Sequence, residues 1–218
     1  MNPIRIVLAE DHIIVRKGIH SLLSEQADIE VVGEASTGHE AVALAESAQP
    51  DIVLMDINMP ELNGLEATRQ IRRLFPAVKV LILTMYSNEE YVLQLLQAGA
   101  IGYVVKQSIP AELITAIRAV YEGNTYLSPL IAKSVVDAYL YHAPTATQTD
   151  SYSKLTDRER EVLQLLVEGF GVRQIADKLF ISTKTVGVHR ANLMDKLEVG
   201  NMVDLVKYAL RKGVIRLE

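Results

Sequence analysis

Five short apolar runs alternate with longer amphipathic segments over the first 121 residues. The runs cover residues 4–9, 31–35, 52–55, 78–83 and 101–105. They are almost continuously apolar, as in strands buried on both faces of a parallel sheet. The segments near 12–25, 38–48, 65–74, 88–98 and 111–121 have the apolar spacing of helices. This pattern predicts a doubly wound α/β domain with five parallel strands, (βα)5, joined by right-handed crossovers.

The pattern changes after residue 121. "LSPLIAKSVVDAYLYH" predicts a linker helix at about 129–141, with Ser128 as N-cap and Pro129 at the first helical position. "APTATQTDSYS" is small, polar and without periodicity, so residues 143–153 are expected to be flexible. The predicted division is therefore a first domain over 1–122, a linker over 123–154 and a second domain over 155–218.

The second domain is predicted to be all-α. Thr156 and Glu159 have the spacing of a capping box that opens a helix ending near residue 168. Further helices are expected at 172–179, 183–197 and 201–212, with a turn at 180–182 and Ser182 as N-cap. Four helices with a tight turn between the second and third predict a helix-turn-helix architecture.

Composition narrows the function classes. The 218 residues include no cysteine, which excludes disulfides, thiolate metal sites and a cysteine nucleophile. No signal peptide or apolar run of about 20 residues is present, so we expect a soluble, cytoplasmic protein without a membrane partner. Residues 1–150 hold 10 Lys+Arg and 18 Asp+Glu, a net charge of −8, whereas residues 151–218 hold 12 and 9, a net charge of +3. This asymmetry indicates different partners for the two parts, and nucleic acid is compatible with the second.

Polar residues stand at the ends of four predicted strands. They are Glu10 and Asp11, Asp56, Thr84, and Lys106. Because the carboxyl ends of parallel strands form one rim, these side chains are expected to converge. Three close carboxylates favour a hard cation such as Mg²⁺, and the absence of histidine or cysteine among them is expected to disfavour zinc.

An aspartate beside Mg²⁺ and a lysine has the groups needed to accept a phosphoryl group. The carboxylate of Asp56 would be the nucleophile, Lys106 would neutralise phosphoryl oxygens, and Thr84 would hydrogen-bond the product. Taken singly, each of these residues is compatible with an ordinary solvated or satisfied strand end. Their joint placement favours a common site.

Residues 1–121 resemble the receiver domain of two-component response regulators, with every signature position filled. The resemblance implies that Asp56 is the phosphoacceptor and that Glu10, Asp11, Asp56 and the carbonyl of Asn58 hold Mg²⁺. It also implies that Thr84 is the switch hydroxyl, Lys106 the phosphate-binding ammonium and Tyr103 an aromatic rotamer switch. Gln107, which follows the lysine, departs from the aspartate or proline often found there.

Residues 155–218 resemble the LuxR-type helix-turn-helix domain, which places the full chain in the NarL/FixJ group. On a helical wheel of residues 183–197, Val186, Leu193 and Leu197 share the face expected to pack on the core. The candidate DNA-binding residues are Thr183, Lys184, Thr185, Gly187, Val188, His189, Arg190 and Asn192.

The face predicted to read DNA is small and nearly uncharged. Val188 could contact a thymine methyl group, and Lys184 a guanine or a phosphate. Gly187 occupies a position that is often lysine in relatives, and a glycine within a helix costs about 1 kcal/mol relative to alanine. Close approach to DNA and a neutral substitution both explain it. His189 suits either a phosphate contact or packing near Thr156.

The expected function is control of transcription in a two-component system. A sensor histidine kinase would phosphorylate Asp56, promoting a homodimer that binds double-stranded DNA at a palindromic site, with RNA polymerase as a further partner. The protein would not be a dedicated enzyme, although weak self-dephosphorylation is expected. The alternatives are a phosphorylation-independent DNA-binding regulator of the same fold, a Mg²⁺-dependent phosphohydrolase, and a helical module that binds protein instead of DNA.

Overall fold

The computed structural model of the protein describes residues 2–85, 89–141 and 151–215. The chain divides into two compact units, Met1–Ala143 and Pro144–Glu218, each with its own apolar core. Residues 143–150 of the segment predicted to be flexible lie outside the described residues. Among the described helices, none is both long and apolar enough to cross a membrane.

The first unit is an α/β sandwich around a parallel sheet, which confirms the predicted doubly wound fold. Its strand order is β2-β1-β3-β4-β5-β6, so the order reverses between β1 and β3. The strands are β1 Ile4–Ala9, β2 Ile29–Ala35, β3 Ile52–Asp56, β4 Lys79–Thr84, β5 Gly102–Val105 and β6 Tyr126–Leu127. The helices are α1 Ile13–Ser24, α2 Gly38–Ala48, α3 Gly64–Leu74, α4 Glu89–Gln97, α5 Ile109–Tyr121 and α6 Pro129–Tyr141.

The prediction of five strands was one too few. Strand β6 has only two residues, which pair in parallel with Gly102 and Tyr103 of β5. So short a strand has no apolar run to mark it in the sequence. It forms because the chain leaving α5 returns along the edge of the sheet before α6 begins.

Each face of the sheet buries a separate core. Along β3, Val53 and Met55 point to the side covered by α2, α3, α4 and α6. Ile52 and Leu54 point to the side covered by α1 and α5. This alternation explains the continuous apolar run of β3, because a strand covered on both faces has no position for a solvated side chain.

The second unit has the four predicted helices, α7 Asp157–Val167, α8 Val172–Lys178, α9 Thr183–Leu197 and α10 Met202–Arg211. The capping box is present: the Thr156 side chain accepts the Glu159 N–H, and Glu159 accepts the Thr156 N–H at 2.8 Å. Ser182 caps α9 by accepting the Thr185 N–H at 3.0 Å. These side chains satisfy amide groups that a helix start leaves unpaired.

The end of the segment predicted to be flexible has a defined structure. Residues Ser151–Lys154 form a 3₁₀ helix, and Tyr152 is buried in the core of the second unit. The guanidinium of Arg160 lies 5.4 Å from the centroid of the Tyr152 ring. Burial of this aromatic ring orders the residues around it, which the small polar composition of the segment did not indicate.

Helix α3 begins in direct contact with the backbone at the end of β3. The N–H of Gly64 donates to the carbonyl of Ile57 at 2.8 Å. A Cβ at Gly64 would lie 2.0 Å from the carbonyl oxygen of Asp56, much closer than any real contact. Glycine is therefore required here by the close approach of two backbone segments, one of which carries Asp56.

Replacing Gly64 by alanine is expected to destabilise the first unit by about 2 to 4 kcal/mol, because α3 must move away from β3. Gly18, in α1, is a matched control, since a Cβ there meets no atom within 4 Å. Gly18→Ala should stabilise the protein by about 0.5 to 1 kcal/mol. Urea unfolding of both variants measures the difference. Equal effects of the two substitutions would contradict the close packing at Gly64.

Candidate functional site at the carboxyl ends of the strands

The sheet brings the predicted strand-end residues to one rim. Asp56 is the last residue of β3, and Thr84 is the last residue of β4. In the strand pairing Asp56 lies opposite Leu83, and Thr84 lies opposite Val105, the residue before Lys106. Glu10, Asp56 and Thr84 are all almost completely buried. The predicted convergence is therefore present in the structure.

An ammonium group joins two buried carboxylates. The Nζ atom of Lys106 lies 2.6 Å from Oε2 of Glu10 and 3.0 Å from Oδ1 of Asp56. The same Asp56 oxygen accepts the backbone N–H of Ile57 at 2.8 Å. Because a buried charge is costly without a partner, Lys106 supplies compensation that permits both carboxylates to be buried.

This compensation is incomplete. The pKa of Asp56 is raised to about 6, chiefly by burial and also by the negative charges of Glu10 and Asp11, against the opposing effect of Lys106. Burial by itself would lower the pKa of Lys106, but Asp56 and Glu10 outweigh it and the pKa is raised. The ammonium thus stays charged at neutral pH, while the Asp56 carboxylate is held in an unfavourable charged state.

The acidic residues also meet the geometric requirement of a cation site. Each of Glu10, Asp11, His12 and Asp56 offers a ligand atom, and these atoms all lie within 4.8 Å of one another. Carboxylate oxygens suit Mg²⁺, which binds a few carboxylates and keeps several waters. The donor set therefore fits the cation inferred from the sequence.

The ligand set predicted from the sequence leaves out His12, but the structure brings this residue, at the start of the first helix, beside the carboxylates. His12 has extended backbone angles, φ −78° and ψ 110°, at the start of α1. Its Nδ1 atom lies 2.7 Å from Oδ1 of Asp11 and 3.3 Å from Oε1 of Glu10. The backbone turn at His12 places its imidazole beside Glu10 and Asp11, and the residue spacing alone did not show this.

Three further predicted residues have clear positions but untested roles. Asn58 is half-buried in the loop between β3 and α3. Thr84 is buried at the rim. Tyr103 is fully buried, and its hydroxyl donates to the carbonyl of Val92 in α4 at 3.4 Å. The metal-binding carbonyl, the switch hydroxyl and the aromatic switch remain predictions.

Sequence reasoning missed two residues that support the site. Arg16 donates to the backbone carbonyl of Glu10 at 2.5 Å and pairs with Glu34 at 3.1 Å, so it holds the chain segment that carries the acidic pair. The hydroxyl of Ser128 accepts the N–H of Val105 at 3.2 Å. A basic residue one turn into α1 is a weak signal for the first. No local signal marks the second, because Ser128 lies 23 residues from its partner.

The candidate DNA-binding residues occupy the outer surface of α9. Val186, Leu193 and Leu197 are buried, as the helical wheel predicted. Thr183, Lys184, Gly187, Val188 and Asn192 are exposed, whereas Thr185, His189 and Arg190 are half-buried. An ion pair of 2.6 Å between Lys196 of α9 and the capping residue Glu159 of α7 connects these two helices. The exposed residues of α9 form the surface predicted to contact a DNA groove, and their individual contacts with DNA remain predictions.

Comparison with known proteins agrees with this architecture. The response regulator receiver domain family matches residues 6–118, and the luxR family of bacterial regulatory proteins matches residues 153–209. The oxygen regulatory protein NreC of Staphylococcus carnosus is 41% identical over 214 residues, covering 97% of this chain and 99% of NreC.

Solved structures of RcsB are also similar to this chain. RcsB of Salmonella enterica serovar Typhimurium, bound to a promoter in the presence of the phosphomimetic BeF3-, is 28% identical with a TM-score of 0.60. A structure of two RcsB dimers on two parallel DNAs is 28% identical with a TM-score of 0.59. Both alignments cover 95% of this chain and 98% of RcsB.

The fold and the domain matches define a DNA-binding transcription regulator of the two-component class. The chain belongs to the NarL/FixJ family of response regulators, with a receiver domain followed by a LuxR-type helix-turn-helix domain.

Asp56→Asn should stabilise the metal-free protein above pH 6. The pKa of Asp56 is higher in the folded protein than in the unfolded chain. As the pH rises from about 4 to about 6, the unfolded chain therefore loses this proton before the folded protein does. Loss of the proton favours the unfolded chain, so the free energy of unfolding of the wild type falls over that window. The variant lacks this loss, which amounts to about 2 to 3 kcal/mol for the shift from 3.8 to about 6. Urea unfolding in EDTA between pH 4 and pH 8 measures it.

Added Mg²⁺ should reverse the comparison, because a bound cation stabilises the ionised carboxylate of the wild type only. A stability difference between the two proteins that does not vary with pH would show that Asp56 carries no raised pKa.

Proposed function

We propose that phosphorylation of Asp56 by a sensor histidine kinase controls DNA binding by this response regulator. The observation that carries the proposal is the buried Asp56 carboxylate, 3.0 Å from the Lys106 ammonium at the rim of the sheet. We assign Mg²⁺ to Glu10, Asp11, Asp56 and the carbonyl of Asn58. When bound, the cation would neutralise charge on the carboxylates and on the incoming phosphoryl group.

The residues of the chain have complementary tasks in the transfer. An oxygen of Asp56 forms a bond to phosphorus as the bond to the kinase histidine nitrogen breaks, which leaves an acyl phosphate. Lys106, whose ammonium is already within ion-pair distance of Asp56, binds a phosphoryl oxygen. Thr84, on the neighbouring strand, donates its hydroxyl to another. The raised pKa of Asp56 means that its charge is poorly stabilised before transfer, so a bound cation would stabilise the ionised form.

An apolar surface beside the site suits a protein donor. Ile13 and Ile14, in the first turn of α1, expose 59% and 87% of their surface directly after the acidic pair. The two adjacent side chains form an exposed apolar patch, and such patches can mark protein interaction sites. We propose that the kinase contacts them when it presents its phosphohistidine to Asp56.

The signal would leave the receiver through β5. Tyr103 packs in the same core as Ile131 of α6, and its carbonyl accepts the N–H of Ser128 at 2.9 Å. The Ser128 hydroxyl bridges from Val105 to the carboxylate of Glu112 in α5. A movement of Tyr103 after phosphorylation would thus act directly on the base of α6, the helix that precedes the linker.

Helix α9 is the proposed reading element, with base contacts from Val188 and Lys184 and phosphate contacts from its flanks. The RcsB dimers on DNA support a homodimer that binds DNA. We propose that phosphorylation promotes this homodimer and that its site is palindromic. RNA polymerase is a proposed further partner, and the cytoplasm, where the DNA lies, is the proposed location.

We retain 1–122, 123–154 and 155–218 as the functional division of the chain. We also propose weak self-dephosphorylation but no dedicated enzyme activity.

Labelling with radioactive acetyl phosphate tests the acceptor. Wild type should form a hydroxylamine-sensitive acyl phosphate that requires Mg²⁺, and Asp56→Asn should not. Asp28→Asn is the matched control, because Asp28 is an exposed carboxylate that pairs with Arg118 at the amino end of β2. Equal labelling of wild type and Asp56→Asn would refute the assignment.

DNA binding with beryllofluoride, a phosphoryl mimic, tests the coupling. Wild type should bind a selected operator at least several-fold more tightly with the mimic, and Asp56→Asn should not respond. An affinity that is unchanged in wild type would support phosphorylation-independent control instead.

Gly187→Ala tests whether close approach to DNA explains the glycine in α9. A Cβ at Gly187 meets nothing within 4 Å in the protein, so the substitution should stabilise α9 by about 1 kcal/mol. If the helix backbone approaches the bases, operator affinity should nevertheless fall about tenfold with an unchanged salt dependence, since no phosphate contact is lost. Gly18→Ala is the control for DNA affinity. Stabilisation without loss of affinity would identify a neutral substitution.

A further inference from the structure

His12 lies on the cation side of the acidic pocket. The two carboxylate oxygens of Glu10 face opposite ways: Oε2 contacts Lys106 at 2.6 Å, and Oε1 lies 3.3 Å from Nδ1 of His12. The same imidazole nitrogen lies 2.7 Å from Asp11. The pocket therefore has an ammonium side and a side where carboxylates and an imidazole converge.

The separations allow one ion to contact all four side chains. Ligand atoms from Glu10, Asp11, His12 and Asp56 lie within 4.8 Å of one another. Atoms bound to a single ion at about 2.0 to 2.2 Å can be separated by at most about 4.4 Å, so only a small closing movement is needed. The His12 side chain is 68% exposed, so it can make that movement without disturbing the core.

The imidazole changes which ions the pocket prefers. Carboxylates and water suit Mg²⁺, whereas an imidazole nitrogen suits the borderline ions of the later first transition row, such as Ni²⁺ and Zn²⁺. These ions bind nitrogen and oxygen ligands more tightly than the earlier ones. A nitrogen ligand should therefore strengthen their binding and leave Mg²⁺ binding almost unchanged.

We propose that His12 is a direct ligand for a borderline divalent transition-metal ion, which competes with Mg²⁺ in the receiver pocket. This proposal rests on the cation site of the proposed function. It adds a sensitivity of phosphorylation to such ions, because an ion held by His12 and the carboxylates occupies the place that Mg²⁺ needs.

Titration calorimetry of the full chain with Mg²⁺ and with Ni²⁺ separates the possibilities. His12→Phe should weaken Ni²⁺ binding at least tenfold and change the Mg²⁺ Kd by less than about twofold. His12→Gln, which keeps a polar side chain, should behave like His12→Phe. His20→Phe is the control, because His20 also lies on α1 near a carboxylate, 3.7 Å from Glu34, but outside the pocket.

A spectroscopic readout identifies the ligand directly. The Co²⁺-loaded wild type should show a strongly shifted imidazole N–H resonance in its proton NMR spectrum, absent from His12→Phe and present in His20→Phe. Equal weakening of Mg²⁺ and Ni²⁺ by His12→Phe would overturn the proposal and make His12 a positioning residue for Asp11. Unchanged binding of both ions would also overturn it. Failure of wild type to bind either ion would instead refute the cation site on which the proposed function depends.

Discussion

Two carboxylates are buried at one end of the parallel sheet, and they require a compensating positive charge. The functional site of the receiver unit depends on this requirement. Glu10 and Asp56 share one ammonium, from Lys106, at 2.6 and 3.0 Å. One positive charge cannot balance both carboxylates together with the adjacent Asp11. Burial and then the remaining negative charge raise the pKa of Asp56, and this charge favours a cation in the pocket.

The packing of the backbone keeps this charge arrangement rigid. Helix α3 can begin against the backbone of Asp56 only because Gly64 has no side chain to meet the Asp56 carbonyl. Arg16 donates to the backbone carbonyl of Glu10. The charged groups are therefore placed by contacts of strand ends and loop backbone.

A hydrogen-bonded path links the rim of the pocket to α6. Val105 precedes Lys106 in the chain, and its N–H is bound by the hydroxyl of Ser128, whose own N–H is bound by the carbonyl of Tyr103. Ser128 thus contacts two residues of β5, Tyr103 and Val105, and Val105 directly precedes Lys106. These hydrogen bonds join the start of α6 to β5 beside the pocket, so a displacement of β5 would reach α6 over a short distance.

The order of the apolar runs was sufficient to predict the α/β fold. The polar residues that end those runs predicted the convergence of Glu10, Asp56 and Lys106, and the helix signals after residue 155 predicted the helix-turn-helix. Those features repeat with regular periods or lie at strand ends, and parallel topology makes strand ends meet. Strand β6, the ordered Tyr152, the support from Arg16 and Ser128, and the position of His12 were decided only by tertiary structure. Each depends on a backbone turn or on a partner distant in sequence, and no local period or residue type records such a contact.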